Sequence, residues 1–133
     1  MKTSKFLEHI KNKFKKIVVV DTEFQSDISN SYCTKALCAV YKDLKTEQTL
    51  KIWDYEENNL AQHHFDFEET LFVCFYATAE VGYFLKQLMG RPPYIFDCWT
   101  EYAKLYKNNR DLSLLAASTA YSYPNPISKE EKE

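Results

Sequence analysis

The chain contains few residues that break regular structure, since glycine occurs twice and proline four times in 133 residues. This scarcity excludes collagen-like and linker-like chains, and contents of 45% hydrophobic and 16% aromatic residues exclude a disordered one. The length predicts one domain with a single hydrophobic core.

Long apolar runs and paired cysteines are also lacking. No run approaches the roughly 18 apolar residues that a membrane span requires, and the basic start of the chain has no apolar core typical of a signal peptide. Cys33, Cys38, Cys74 and Cys98 form no CxxC pair, and the last two lie among apolar or aromatic residues. These features predict a reduced, cytoplasmic protein that is neither secreted nor membrane-spanning.

An excess of positive charge is lacking as well, because the formal net charge is -2. Proteins that hold nucleic acid by neutralising phosphates alone are basic. A polyanionic substrate would therefore need local lysines or bound metal ions.

The first 16 residues are predicted to form a basic amphipathic helix ahead of the main domain, residues 17–133. Phe6, Ile10 and Phe14 recur at helical spacing with lysines between them. Three interpretations stay open: a helix packed on the domain with a solvated lysine face, a phosphate-binding arm, and a membrane-surface helix.

The remaining apolar pattern predicts a mixed α/β sheet flanked by helices. The predicted strands cover residues 17–20, 33–41, 49–53, 71–76 and 94–96, and the helices lie around 81–88, 98–108 and 111–121. The first of these helices should end near Gly90 and Pro92. The acidic stretch 54–69 is expected to form a loop with a short helix that crosses the sheet.

Asp21 and Glu23 end the first apolar run. Because side chains alternate along a strand, the two carboxylates should point to one side of the sheet, about 7 Å apart along the backbone. Such a pair needs a divalent cation, a basic partner or exposure to water. The pair alone does not distinguish these.

The expected strand order favours a shared site. If the chain crosses back after three strands, residues 71–76 become the parallel neighbour of the first strand, on its other side. Ligand sites of open α/β sheets lie at the carboxyl ends of strands where the order reverses. Glu80 begins the helix that follows, so Asp21, Glu23 and Glu80 are predicted to converge on one crevice.

Two segments resemble the DEDD superfamily of 3'-5' exonucleases. "VVVDTEF" is similar to its first motif, and "LFVCFYATAEVGYFLKQLMGRPPYIFDCWTEYAKLYKN" resembles the second-motif region of the exonuclease domain in family A, polymerase I-like, DNA polymerases. The match is to the bacteriophage variant, in which A-[ST]-A-E-[LV]-G stands in place of N-x-x-[FY]-D. The resemblance covers roughly residues 16–133.

This resemblance implies a ribonuclease H-like fold with a five-stranded mixed sheet and two bound Mg²⁺ or Mn²⁺ ions. Asp21 and Glu23 match the first-motif catalytic and metal-binding residues, and Glu80 matches the second-motif Asp with one additional methylene. Tyr76 occupies the place of the usual Asn. Asp97 matches an Asp that begins a helix, where a helix N-cap is the favoured role.

The third motif of the superfamily, which supplies the fourth carboxylate, has no counterpart in the chain. Tyr121 and Asn125 have the motif's spacing, but Asn is a poor metal ligand and the match places this stretch ahead of the missing helix. The expected function is a proofreading-type, two-metal-ion 3'-5' exonuclease domain that acts on single-stranded DNA 3' ends and is weak alone. The phage match implies a phage-encoded protein in a bacterial host.

Two alternatives to an autonomous nuclease stay open. One is a ribonuclease H-like module that binds nucleic acid or a replication protein without catalysis. The other is a nuclease completed by a polymerase domain or by a separate chain that supplies the missing motif.

Several further residues are of types that can bind ligands. Phe24, Tyr76 and Tyr83 are candidate surfaces on which unpaired bases stack, with ordinary packing as the alternative. His63, His64 and Asp66 are better explained as a solvated loop, and Cys33 with Cys38 lacks the second ligand pair of a structural zinc site. Lys86 and Arg91 are assigned to the dipole of the preceding helix rather than to phosphate.

Overall fold

The computed structural model of the chain describes residues 5–26, 33–54, 64–87, 90–108 and 111–122. They form an α/β domain in which helices flank a five-stranded sheet. In chain order the elements are α1 (Lys5–Lys13), β1 (Lys16–Ser26), β2 (Cys33–Asp43), β3 (Thr49–Trp53), β4 (Thr70–Cys74), α2 (Ala77–Lys86), β5 (Ile95–Asp97), α3 (Cys98–Leu105) and α4 (Leu114–Ala120).

The sheet has the strand order β3-β2-β1-β4-β5. The strands β1, β2 and β3 pair antiparallel, whereas β4 pairs parallel to β1 and to β5. The predicted mixed sheet and the crossing that places residues 71–76 on the far side of the first strand are thus confirmed. The order reverses at β1, which is the central strand.

The main core lies between the sheet and α2. Val18 and Val20 of β1 point to this side, where Tyr83 and Phe84 of α2 cover them. Rings of the chain segment before β4 complete the layer: Phe65 and Phe67 lie 5.4 and 5.6 Å from Phe72 between centroids. Burying such large apolar side chains, at about 25 cal/mol per Å² of apolar surface, is the main stabilisation of this face.

A smaller cluster lies on the opposite face, against α1. Phe14, Ile17 and Leu71 are buried together, and Ile10 packs against them. The predicted amphipathic helix is therefore present, but it ends at Lys13 and its N-terminal Phe6 is 60% exposed. The buried contacts described between α1 and the sheet come from Ile10 and from Phe14, which follows the helix.

Lys45, in the turn between β2 and β3, holds the end of α1. Its ammonium donates hydrogen bonds to the carbonyl oxygens of Lys11, at 2.6 Å, and of Phe14. These carbonyls belong to the last turn of the helix or follow it, where intrahelical donors are missing and the helix dipole is negative.

Replacing Lys45 by methionine should lower the free energy of unfolding by about 1 kcal/mol, because α1 loses both donors and a favourable charge. Urea denaturation measures the loss, and amide hydrogen exchange should show faster opening of α1. Lys107→Met, at an exposed position after α3, is the matched control. Equal stability of the two variants would contradict the capping role.

The predicted elements differ from the observed ones mainly at their ends. The helix α2 ends at Lys86, with Gln87 as its C-cap, ahead of Gly90 and Pro92. The expected loop and short helix of residues 54–69 fall largely on 55–63, outside the described residues. Within the described ranges, no helix has the length and apolarity needed to cross a membrane.

Candidate functional site

Asp21 and Glu23 lie side by side on one face of β1. Thr22 between them is buried against α2, whereas both carboxylates are exposed. The alternation expected for a strand therefore places both acids on the side of the sheet away from α2.

The acids lie within β1 rather than at its end, which corrects the sequence-based expectation. Antiparallel pairing with β2 continues to Ser26, because Thr22 and Phe24 still point inward. The parallel pairing with β4 stops at Val19, opposite Val73. Asp21 and Glu23 are therefore on the part of β1 that extends past β4, where the strand order reverses.

Glu80 lies on the other side of the sheet, in the first turn of α2. Its residue is 4% exposed, and Oε1 accepts a hydrogen bond of 3.3 Å from the hydroxyl of Thr22. Among the described residues no donor reaches the buried Oε2. Burial, followed by the charge of Asp21, raises the pKa of Glu80 to about 7.

The three predicted acids thus all lie at β1, but Asp21 and Glu23 are on one face of the sheet and Glu80 is on the other. Their oxygen donors suit Mg²⁺ or Mn²⁺, and Oε2 of Glu80 is buried without a hydrogen-bond partner among the described residues. Within the described ranges, however, no three side chains of His, Cys, Asp or Glu are grouped to hold a metal ion. The donor chemistry fits a divalent cation beside Asp21 and Glu23, but the grouping does not complete a two-ion site.

Asp97 joins the N-termini of two helices. Its Oδ1 accepts from the backbone N–H groups of Tyr76 and Trp99, at 2.9 and 3.0 Å, and its Oδ2 accepts from Ala77 and from the Thr100 hydroxyl. Burial raises the pKa of this carboxyl, but the four hydrogen bonds outweigh that effect and leave it below the ordinary value. The residue is the N-cap of α3, the role favoured from the sequence.

Tyr76 precedes α2 in the left-handed region, at φ 73°, a conformation that Asn and Gly adopt more readily than aromatic residues. Its ring is 48% exposed and meets Trp99 edge to face at 5.3 Å. Asp97, rather than a side chain at position 76, supplies the acceptor for the first backbone donors of α2.

The other two candidate stacking residues are less accessible. Phe24 is half-buried and packs against the main core. Tyr83 is 0% exposed, and its hydroxyl donates to Oδ2 of Asp54 at the end of β3. Tyr83 therefore offers no exposed face to a base in this structure.

The remaining sequence candidates do not form a site among the described residues. His64 and Asp66 are exposed, Oδ1 of Asp66 accepts from the N–H of Glu68 in a turn, and His63 lies outside the described residues. Lys86 is exposed in the last turn of α2, and Arg91 is exposed beyond it. None of the four cysteines, all of which are described, is in a disulfide.

A cavity of about 440 Å³ lies at the opposite end of the sheet. Its lining includes Lys16, the first residue of β1, and Asp43, the last of β2. Because Asp21 and Glu23 lie further along β1, this cavity is separate from the acids. One oxygen of Asp43 already accepts from the N–H of Lys45 in the turn, at 2.8 Å.

Two features of the candidate site were not predicted from the sequence. Thr22, the middle residue of the D-x-E stretch, links β1 to Glu80, and only the alternation of the strand could have signalled it. Lys51 and Trp53 of β3 share the face of the acids, because Asp21 pairs with Val40 and Val40 with Lys51, while Glu23 pairs with Cys38 and Cys38 with Trp53.

No protein-family model, no curated protein and no solved structure matches the chain.

Proposed function

We propose that the chain is the ribonuclease H-like core of a two-metal-ion 3'-5' exonuclease domain that acts on single-stranded DNA ends. The observation that carries this proposal is the placement of Asp21 and Glu23. They lie together and exposed on the central strand, where the order of the sheet reverses, which is where open α/β sheets place ligands. The resemblance of the two motifs supplies the reaction.

Asp21 and Glu23 would hold the divalent cation, and Glu80, on the other side of β1, is the third carboxylate that the resemblance implies. A bound cation of this kind activates water and stabilises the negative charge that develops on the phosphate. Glu80 is protonated for much of the neutral range when no cation is present, since its pKa is near 7. Its contribution as a ligand therefore requires loss of that proton.

A single strand is the proposed substrate, and an exposed aromatic residue is available to an unpaired base. Tyr76 is exposed beside the start of α2 and offers a surface for an unpaired base. The fourth carboxylate of the superfamily has no counterpart in the sequence, so the isolated chain should be weakly active. The missing group would come from a polymerase domain or another chain.

The test is Mn²⁺-dependent shortening of a 5'-labelled single-stranded DNA from its 3' end. We expect slow loss of 3' nucleotides with the unmodified chain and none above background with Asp21→Ala/Glu23→Ala. Removing a metal-binding carboxylate abolishes the charge that positions the cation, and rate losses of 100-fold or more, on the order of 3 kcal/mol, are common for such groups. Both side chains are exposed, so folding should be retained.

Glu8→Ala/Glu68→Ala removes the same charge from two exposed positions of α1 and the turn before β4 and is the matched control. Degradation that persists in the Asp21/Glu23 double variant would refute the assignment. If the unmodified chain is inactive, adding a downstream fragment that carries a Y-x-x-x-D or H-x-x-x-D helix should restore activity in trans.

A binding module without catalysis is the second candidate, because the described residues group no three metal-ligating side chains. Calorimetric titration with Mn²⁺ separates the two functions. Saturable binding that Asp21→Ala/Glu23→Ala abolishes supports the nuclease. DNA binding without saturable metal binding supports the module.

A further inference from the structure

The face of the sheet that carries the acids continues as an exposed surface across β2 and β3. We name it the open face; its residues are Val19, Asp21, Glu23, Cys38, Val40, Lys42, Lys51 and Trp53. Val19 and Val40 are 36% and 38% exposed, and Trp53 is 69% exposed. A sheet face with three exposed apolar side chains, two acids and two lysines has the mixed character of a binding surface.

Trp53 lies in line with Glu23 on this face. Glu23 is opposite Cys38, and Cys38 is opposite Trp53, so the three side chains form one row perpendicular to the strands. Neighbouring strands are about 4.8 Å apart, which places the Cα atoms of Glu23 and Trp53 about 10 Å apart. Burial, followed by the negative charges of Glu23 and Asp21, raises the pKa of the Cys38 thiol.

Positive charge lies beside this row. Lys51 is on the same face of β3 as Trp53, two residues earlier, and Lys42 is on β2. Both are exposed, and the acids of β1 repel a phosphate chain unless a cation or such lysines offset them. Lys42 is opposite Thr49, four residues from Trp53, so Lys51 is the nearer of the two lysines. An indole with an ammonium group two residues away on the same face matches the two parts of a nucleotide, a base that stacks and a phosphate that is negative.

We infer that Trp53 and Lys51 form a nucleotide subsite, in which one base of a single-stranded DNA stacks on the indole while the adjacent phosphate contacts the ammonium. This inference rests on the proposed function for the direction of the strand, which would run from the acids of β1 across β2 to β3. The contact to the base is a stacking contact, so it tolerates any base. Trp53 is a positioning residue here and takes no part in the chemical step.

The experiment measures binding of a fluorescein-labelled oligothymidylate of about ten nucleotides by anisotropy, with EDTA present to prevent cleavage. Trp53→Ala should raise the Kd between about 5-fold and 100-fold, since stacking on an aromatic contributes about 1–3 kcal/mol per base. Trp53→Phe should retain part of the affinity. Leu50→Ala, on the same strand but the opposite face, is the matched control and should change the Kd by less than about 2-fold.

Two further readouts identify the contacts. In a Trp99→Phe background, in which Trp53 is the remaining tryptophan, DNA should quench the fluorescence. Lys51→Ala should reduce the slope of log K against log salt by about 0.7, the value for one phosphate of a single strand. A purely structural role of Trp53 would not produce quenching by DNA.

The outcomes separate this inference from the proposed function. DNA binding that Trp53→Ala leaves unchanged overturns the subsite and leaves the nuclease assignment intact. Binding that depends on Trp53 without any metal-dependent degradation supports the subsite and favours the binding module. Absence of DNA binding overturns the subsite. A change of sedimentation in Trp53→Ala also overturns it, because that result would show that a second copy of the chain covers the open face.

Discussion

Replacing Asp97 by alanine is expected to lower the free energy of unfolding by about 2–3 kcal/mol, because one carboxylate caps two helices. Its four hydrogen bonds go to the first backbone donors of α2 and to the start of α3. An N-cap replacement at one helix costs about 0.5–2 kcal/mol, and here the donors of two helices lose their acceptor together. Urea denaturation at neutral pH measures the loss.

Two variants make the test of Asp97 specific. Ser113→Ala removes the N-cap of α4 alone, where the hydroxyl accepts from the N–H of Ala116 at 3.1 Å, and should cost about 1 kcal/mol. Asp97→Asn keeps one oxygen acceptor and should be intermediate. A loss for Asp97→Ala no larger than that for Ser113→Ala would show that only one helix depends on this residue.

Lowering the pH should produce part of the loss of stability expected for Asp97→Ala. The pKa of Asp97 is below its ordinary value of 3.8 in the folded chain, so its contribution is present above that value and is lost as the pH falls through the folded pKa. The helices α2 and α3 should therefore loosen together in acid.

The fold was largely predictable because the buried strands are short apolar runs. The run 71–76 has no polar break and 17–20 is equally apolar, and both became strands that are parallel neighbours. The ends of the elements were harder to predict, because they depend on partners elsewhere in the chain. β1 extends to Ser26 because β2 continues to pair with it and α2 covers Thr22, and neither fact is local to the sequence.

The positions of the three candidate acids were predictable in part, but their arrangement was less so. Alternation correctly placed Asp21 and Glu23 on one side of the sheet, and the helix after β4 does bring Glu80 next to β1. The side from which Glu80 approaches is set by how α2 packs on the core through Tyr83 and Phe84. Periodicity cannot determine this, because a short apolar helix of ten residues can pack on either face of a sheet.

Trp53 illustrates the other limit of sequence analysis. An exposed tryptophan at the end of a strand has no distinctive pattern, and single exposed apolar residues are common. Its alignment with Glu23 follows from the register of two antiparallel pairs, which turn and packing geometry determine.

Replacing Glu80 by glutamine is expected to stabilise the chain at pH 8 and to change its stability far less at pH 4.5. The pKa of Glu80 rises from 4.5 to about 7 because of burial and of the charge of Asp21. A carboxyl with a raised folded pKa costs nothing below the unfolded pKa, and its cost grows as the pH rises from 4.5 to about 7. At about 1.4 kcal/mol per pH unit, the full cost is roughly 3 kcal/mol above pH 7.

The measurement is urea denaturation of both proteins from pH 4.5 to 8 in EDTA. The unmodified chain should lose stability across this interval relative to Glu80→Gln, and the difference should level off above the folded pKa.

Thr22→Val is the informative companion, because the Thr22 hydroxyl stabilises the Glu80 carboxylate. Its removal should raise the folded pKa further, so the loss of stability should begin at the same pH, extend to higher pH and become larger. Parallel pH profiles for the unmodified chain and Glu80→Gln would mean that Glu80 is solvated or paired in solution. A divalent cation that binds Oε2 should reverse the pH dependence, since it stabilises the deprotonated carboxylate.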